Sequence, residues 1–351
     1  MTGQAAMPDQ LSPRHLRARL LQLAALVAVV VAVILAAPGL GELRTRLRHA
    51  STPWLIAGVA LELFSALSYV LIFRAVFCSR MSWRISYEIG MAEQAANSLL
   101  PAGGAGGLAL GAWALRQGGA SVGHIARRTV AFFLLTSLAN LGTLIVFAVL
   151  FAIGVLGHDE APGVTYGFAG AAAAAIVLTL ALPRLTRPYR LRPPSDTAGR
   201  LSTLVRRLVD AVADGVGDST SLLVRRPGAV LTGSLGYMAF DIAVLGVCYR
   251  AIGNSPGIGV LVVAYIVGQL GGLLPVPGGI GGTEGGLIGV FLLFGAPLAS
   301  TTVAVLAYRA IQLWVPAVLG SIAFVQLRHV LRQEPAPAVI CEPLAEPVSS
   351  R

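Results

Sequence analysis

Long runs of apolar residues dominate the 351-residue chain. Six of them are roughly 20 residues or longer, the length that a helix needs to cross about 30 Å of hydrocarbon. These runs lie near 20–37, 54–77, 129–156, 164–183, 229–252 and 300–327. They are continuous and do not alternate with polar residues, which favours membrane-spanning helices over the strands of a barrel.

Two further apolar segments, near 85–116 and 258–296, are interrupted by glycine and proline. Residues 97–107 read NSLLPAGGAGG and residues 271–286 read GGLLPVPGGIGGTEGG, so Leu-Leu-Pro followed by two Gly-Gly pairs occurs twice. Proline interrupts the helical hydrogen bonds and glycine permits close approach of the backbone. Each segment is therefore predicted to be a broken helical hairpin. The sequence predicts an all-α, polytopic membrane helix bundle of about eight elements.

Composition agrees with this class and excludes others. The chain is 56% hydrophobic and 12% charged, with a mean hydropathy of +0.77, whereas soluble domains carry about 25% charged residues. All 26 basic residues are arginine, which excludes enzymes that need a Schiff-base or phosphate-loop lysine. The net charge of +10 comes from arginines in short loops beside apolar spans, as expected of membrane topology and not of nucleic-acid binding.

The distribution of arginine also predicts the topology. The basic N-terminus, 1–19, and the loop 184–228, which contains nine arginines, are placed in the cytoplasm. The loop 157–163 carries two acidic residues and no arginine and is placed outside. The tail 328–351 is expected to be disordered and cytoplasmic. We expect a multi-pass protein of the plasma membrane with both termini in the cytoplasm.

In this topology the two broken hairpins enter the membrane from opposite sides. The chain then contains two similar units, 20–156 and 164–327, the second including the basic loop, in opposite orientations. Inverted repeats with broken helices are typical of secondary transporters, whose irregular backbone lines a cavity. Helices that begin after Pro101 and Pro277 would direct the positive ends of their dipoles into that cavity, where they favour an anionic group such as a phosphate.

Small residues also mediate close packing of membrane helices, and this is the alternative explanation of the glycines. The presence of two phrases in opposite orientations favours the cavity. The predicted substrate-binding residues of the phrases are Pro101, Gly103, Gly104, Gly106, Pro275, Pro277, Gly278, Gly279 and Gly281.

Charged residues within apolar spans add further candidates, because each costs several kcal/mol unless it has a partner or a cavity. Glu284 and Arg309 are predicted to form a buried pair that faces the cavity. Asp241, Glu93 and Asn97 are weaker candidates for transport. Structural ion pairing within the bundle is the alternative for all of them, and also for Glu62 and Arg74.

Outside the spans the sequence offers little chemistry. Residues 200–216, RLSTLVRRLVDAVADGV, predict an amphipathic helix that either binds the anionic cytoplasmic leaflet or is a solvated connector. The five histidines are scattered, and the three cysteines lack metal-ligand spacing. We therefore expect no metal, no cofactor and no enzymatic activity.

The stretch LLPVPGGIGGTEGGLIGVFLLFGAP, followed by AVLAYRAIQLWVPAVLG, resembles the flippase-like membrane domain of lysylphosphatidylglycerol synthases and its stand-alone relatives. The resemblance covers roughly residues 20–327 and is strongest in the C-terminal third. Its pattern includes the following residues of this chain: Pro275, Pro277, Gly278, Gly279, Gly281, Glu284, Arg309, Trp314 and Pro316. The first phrase departs from the family because it lacks the acidic residue that relatives have there. Arg127 and Arg128 stand where relatives have a glutamate-arginine pair that opens the next helix, and both are further candidates for the site. Only a short tail follows residue 327, so we expect a stand-alone member without the aminoacyl-transferase domain.

Three functions fit these observations. The first is a lipid translocase that moves a phospholipid or a polyprenyl-phosphate-linked lipid between leaflets, with an anionic headgroup as the recognised group. The second is a membrane-embedded transferase that acts on a lipid-linked donor, with Glu284 or Asp241 as base. The third is a non-transporting subunit that holds a cytoplasmic or membrane synthase. Translocation is the function that the sequence favours.

Overall fold

The computed structural model describes residues 49–99, 105–191, 200–273 and 281–333, together with Leu21 and Thr45. Within these residues the chain forms ten α-helices and no β-strand, so the predicted all-α membrane bundle is confirmed. The helices are α1 Thr52–Phe77, α2 Trp83–Leu99, α3 Ala105–Gln117, α4 Val122–Ala152, α5 Pro162–Leu191, α6 Arg200–Arg225, α7 Pro227–Ala251, α8 Ile258–Gly268, α9 Gly282–Leu293 and α10 Leu298–Gln333. A 3₁₀ turn, Gln269–Leu273, continues α8.

Five of the helices are long and apolar enough to cross a membrane, namely α1, α4, α5, α7 and α10. They coincide with five of the six predicted spans. The sixth, 20–37, lies outside the described residues except for Leu21. The two predicted hairpins are present as the helix pairs α2–α3 and α8–α9.

Local sequence explains where several helices begin and end. The hydroxyl oxygen of Ser121 accepts a hydrogen bond from the backbone N–H of His124 at 3.2 Å and caps the start of α4. Pro227 begins α7, where the N–H that proline lacks has no intrahelical partner. After the end of α4, Gly154 adopts a φ of 77°, which is left-handed and favours glycine.

The helices α1 and α7 pack against each other in antiparallel orientation. Near the start of α1, a side chain on Gly58 would touch Val247, close to the end of α7. Near the end of α1, Ile72 contacts Gly233, close to the start of α7. Two equivalent helices of opposite orientation are expected to meet in this way.

The remaining contacts are reciprocal. We call α1–α4 the first unit and α7–α10 the second unit. The helix α2 packs on α10 as α8 packs on α4, and α1 contacts α10 as α7 contacts α4. Exchanging each helix of one unit with its counterpart therefore reproduces the pattern of contacts. This pattern supports a two-fold relation between the units, while the proposed limits of the repeats, 20–156 and 164–327, remain a prediction.

The region predicted as the loop 184–228 is largely helical. The helix α5 continues to Leu191, and Arg200–Arg225 forms α6, so the predicted amphipathic helix is present. Its apolar side chains at Ala213, Val216 and Leu222 are buried, and α6 packs on α4, α5 and α7. This spacing of three residues gives the helix one apolar face, which the bundle covers. Leaflet binding and a solvated connector both remain predictions for its polar face.

Candidate functional site

The four helices of the second unit bring polar side chains together in one buried network. Asp241 comes from α7, Tyr265 from α8, and Glu284 from α9. The remaining members come from the 3₁₀ turn after α8 and from α10. We call this set the second-unit network: Asp241, Tyr265, Gln269, Glu284, Tyr308, Arg309 and Gln312.

Asp241 lies at the centre of the network, and its residue is only 3% exposed. Its Oδ2 accepts hydrogen bonds from the Tyr308 hydroxyl at 3.0 Å and the Gln312 amide at 3.0 Å. The hydroxyl of Tyr265 donates to the same oxygen. The other oxygen, Oδ1, is buried and has no hydrogen-bond partner among the described residues. A buried acceptor without a partner is costly and requires an explanation.

Glu284 and Arg309 form the predicted pair. The Nε of Arg309 donates to Oε1 of Glu284 at 2.8 Å, and the two side chains are 7% and 15% exposed, arginine first. The Nη1 of Arg309 donates to Oε1 of Gln312, whose amide donates in turn to Asp241. The guanidinium of Arg309 thus connects the two carboxylates of the network. It bonds Glu284 directly, in a charge-assisted bond, and reaches Asp241 through Gln312.

Glu284 also determines how α9 begins. Its Oε2 accepts a hydrogen bond from the backbone N–H of Gly281 at 2.6 Å, the reach-back bond of a capping box. Gly281 has a φ of 87°, which a residue with a side chain adopts only with strain. The carboxylate therefore links the backbone of the second glycine phrase at Gly281 to α9 and, through Arg309, to α10.

Gln269, in the 3₁₀ turn after α8, donates to the Tyr308 hydroxyl at 3.1 Å, which fixes the side of α10 that faces α8.

A proline follows the network on α10. Pro316 stands inside α10, four residues after Gln312. Because proline has no N–H, it cannot donate to the backbone carbonyl of Gln312. The helix is thus weakened one turn beyond the network.

The first unit contains a smaller buried network of the same kind. The hydroxyl of Tyr69 on α1 donates to Oε2 of Glu93 on α2 at 2.9 Å, and Asn97 accepts from the backbone N–H of Gly107 at 2.9 Å. We call Tyr69, Glu93 and Asn97 the first-unit network. In each unit a tyrosine–carboxylate bond joins the first helix to the second across 24 residues of sequence, with donor and acceptor exchanged.

Several glycines of the hairpins are required by close packing. A Cβ on Gly111 would overlap the carboxylate of Glu93, and a Cβ on Gly286 would overlap the backbone oxygen of Gly268. The arms of each hairpin can touch only because these positions lack side chains. The packing explanation considered for the glycine phrases therefore applies to Gly286, the last residue of the second phrase, and to Gly111, which follows the first phrase.

Most of the predicted phrase residues lie outside the described residues: Pro101, Gly103, Gly104, Pro275, Pro277, Gly278 and Gly279. Gly106 is buried in the first turn of α3, and Gly281 is exposed before α9. The cavity that the two phrases are predicted to line therefore remains a prediction.

Arg127 and Arg128 lie in the first two turns of α4, away from both networks. Arg127 is exposed. The Nε of Arg128 lies 3.6 Å from Oδ2 of Asp218, which attaches α4 to α6. Arg74 likewise has a local role, because its Nε donates to the carbonyl of Met81 at 2.7 Å.

Sequence reasoning missed the tyrosine and glutamine members of the networks. Tyr69, Tyr265 and Tyr308 lie in apolar runs, where tyrosine is an ordinary residue, so nothing marked them as donors. The one available signal was the spacing of Tyr308, Arg309 and Gln312, which places polar groups together within about one turn of α10. Within the described ranges, no group of three or more His, Cys, Asp or Glu side chains is placed to hold a metal ion.

Comparisons with known proteins agree with this architecture. The family model described as the lysylphosphatidylglycerol synthase TM region matches residues 20–320. A UPF0104 membrane protein from Methanothermobacter thermautotrophicus is 38% identical to this chain over 91 residues, which cover 26% of this chain and 26% of that protein. No solved structure matches the chain.

Proposed function

Because the chain belongs to the lysylphosphatidylglycerol synthase TM region family, we propose that it is a membrane lipid translocase and not an enzyme. It moves a phospholipid or a polyprenyl-phosphate-linked lipid between the leaflets of the plasma membrane. Both termini lie in the cytoplasm, as the arginine distribution indicates.

The observation that carries this proposal is the buried Arg309. Its guanidinium is paired with Glu284, whose carboxylate also accepts from the backbone N–H of Gly281 where α9 begins. A guanidinium within a membrane protein is costly unless it serves a pathway or a partner, and it suits phosphate through paired N–H donors. In the resting state Glu284 holds this cation. An anionic headgroup that enters the site would take the place of Glu284 on Arg309.

The arrangement of the two units supports movement between the leaflets. The units meet along the antiparallel pair α1–α7. The first arm of each hairpin, α2 or α8, packs on the last helix of the other unit, and the second arm, α3 or α9, packs within its own unit. Rocking of one unit against the other would change which side of the membrane reaches the second-unit network. Pro316 weakens α10 next to the network and gives that helix a point at which it can bend.

Lipid tails also have a suitable surface. A groove of about 350 Å³ lies between α4 and α7 and is lined mainly by apolar side chains, among them Leu138, Val146 and Leu235. These three side chains are exposed, as expected of a surface that faces hydrocarbon. We propose that acyl or prenyl chains follow this groove while the headgroup crosses inside the protein. A synthase that supplies the lipid is the proposed protein partner.

Reconstitution into vesicles tests the function. Purified protein is placed in liposomes that contain a fluorescent phospholipid or a labelled polyprenyl phosphate, and a membrane-impermeant reductant reports the label in the outer leaflet. We expect Arg309→Gln to stop the exchange of labelled lipid. Arg84→Gln is the matched control, because Arg84 also bonds a glutamate, Glu88, at 2.9 Å but its side chain is 73% exposed.

Three outcomes decide between the functions. Exchange by the wild type and by Arg84→Gln, but not by Arg309→Gln, supports translocation at this site. Equal exchange by all three proteins removes Arg309 from the pathway. A chemically altered lipid in the wild-type vesicles, in place of exchange, points to the membrane-embedded transferase instead.

A further inference from the structure

A second buried carboxylate faces the second-unit network from the other unit. The hydroxyl of Ser65 on α1 donates to the backbone carbonyl of Tyr237 on α7 at 3.1 Å. Glu62 lies one turn before Ser65, and Asp241 lies one turn after Tyr237. Because α1 and α7 are antiparallel, this register places Glu62 opposite Asp241.

Both carboxylates are deeply buried and incompletely bonded. Each residue is 3% exposed. The Oε2 of Glu62 and the Oδ1 of Asp241 are buried oxygens without a hydrogen-bond partner among the described residues. The two groups are close enough to interact electrostatically. Ionised carboxylates can only accept hydrogen bonds, so two of them that face each other across a helix contact require a donor between them.

The surrounding groups provide too little positive charge for two carboxylates. Tyrosines face the pair from three helices: Tyr237 from α7, Tyr265 from α8 and Tyr308 from α10. Among the described residues, the basic group that acts on Asp241 is Arg309 of α10. In the neighbouring first-unit network, Glu93 of α2 is already bonded to Tyr69 of α1.

Charge balance therefore points to a bound proton. Arg309 is already paired with Glu284, so ionisation of Glu62, Asp241 and Glu284 together would leave two negative charges uncompensated. Uncompensated charge inside a membrane protein costs several kcal/mol, and two neighbouring carboxylates do not both ionise readily. A proton on one of the two satisfies an orphan oxygen and removes one of the charges.

We propose that Glu62 and Asp241 form a proton-binding pair at the contact between the two units, and that exchange of this proton is coupled to their relative movement. The coupling rests on the translocase function proposed above. In the step, the O–H bond of the protonated carboxyl breaks and the proton passes to water on the side that is open. The two carboxylates then repel each other across the α1–α7 contact, which favours the alternative arrangement of the units.

Infrared spectroscopy of the protein in liposomes tests the bound proton without reference to transport. At neutral pH in sodium-free buffer, the difference spectrum between the wild type and Glu62→Gln should contain the C=O band of a protonated carboxyl. Glu88→Gln is the control, because Glu88 is equally buried but pairs with Arg84, so its loss should not remove such a band. Glu62→Asp retains the acid and should restore the band if the glutamine variant is poorly folded.

Two spectroscopic results would overturn the proton site. One is the absence of a protonated carboxyl band in the wild type relative to Glu62→Gln. The other is a band that disappears when sodium is added at constant pH, which would make the pair a cation site.

Transport in the same vesicles tests the coupling. A pH gradient across the membrane should accelerate lipid exchange in the wild type and in Glu88→Gln, and this acceleration should be lost in Glu62→Gln. If the rate of lipid exchange by the wild type does not change with the pH gradient, the coupling is wrong but the translocase function is retained. A protonated carboxyl without lipid exchange in any protein rejects the translocase function but retains the proton site.

Discussion

Arg309 of α10 donates a hydrogen bond to Glu284 of α9 over 2.8 Å, although the two residues are 25 positions apart in the chain. The bond closes the second hairpin against the last span. Glu284 simultaneously accepts from the N–H of Gly281. One carboxylate thus holds together the backbone of a glycine phrase, the start of a helix and a buried cation.

The first prediction separates the stability of this pair from its function. Glu284→Gln leaves the guanidinium of Arg309 buried without its counter-charge, which should cost about 3–5 kcal/mol of unfolding free energy. Combining it with Arg309→Gln removes the uncompensated charge, so thermal unfolding in detergent should return toward the wild-type temperature. Lipid exchange should remain absent in the double variant. Recovery of exchange together with stability would assign the pair a structural role.

The second prediction compares two glycines of α9, one that packs closely on α8 and one that has open space beside it. A Cβ on Gly286 would overlap the backbone oxygen of Gly268, whereas a Cβ on Gly289 would meet open space. Gly286→Ala should therefore lower the unfolding free energy by about 1–3 kcal/mol and separate α9 from α8. Gly289→Ala should be neutral or stabilise α9 by about 0.5–1 kcal/mol. Thermal unfolding of both variants is compared, and equal effects would show that α9 does not pack on α8 through Gly286.

The third prediction concerns the orientation of the units. Val122 and Leu298 are the first residues of the equivalent helices α4 and α10, and each is 59% exposed. In a chain whose own three cysteines are replaced, Val122→Cys should react with an impermeant thiol reagent only from the cytoplasmic side. Leu298→Cys should react only from outside. Labelling of both from one side would show that the units are not inverted.

The fourth prediction concerns the weak point of α10. Pro316→Ala restores an N–H that can donate to the carbonyl of Gln312, so the helix should gain stability, by up to about 3 kcal/mol. If α10 bends there during transport, lipid exchange should become slower in this variant. Pro227→Ala is the control, because proline at the start of α7 sacrifices no helical hydrogen bond. Unchanged exchange in Pro316→Ala would show that the helix does not bend at this position.

The sequence by itself determined the class, the spans and the broken hairpins. Apolar length is a local property, because a helix must satisfy its own backbone in lipid and must be long enough to cross it. Glycine and proline act on their own backbone, so the interruptions after α2 and α8 could also be located from sequence. Glu284 and Arg309 could be chosen because charge within an apolar run requires a partner.

Only the tertiary structure decided which faces meet. Apolar side chains lie on every side of α1, so their periodicity does not mark the side that contacts α7 rather than lipid. Glu62, Ser65 and Ser68, spaced three residues apart, do lie on the side that contacts α7. The bond from Ser65 to the carbonyl of Tyr237 fixes that side, and with it the position of Glu62 opposite Asp241. The tyrosines that bond the carboxylates and the packing of α6 on α4 depend on the same choice of faces. In a membrane the surroundings are as apolar as the neighbouring helices, and for this reason the pattern of apolar residues does not record that choice.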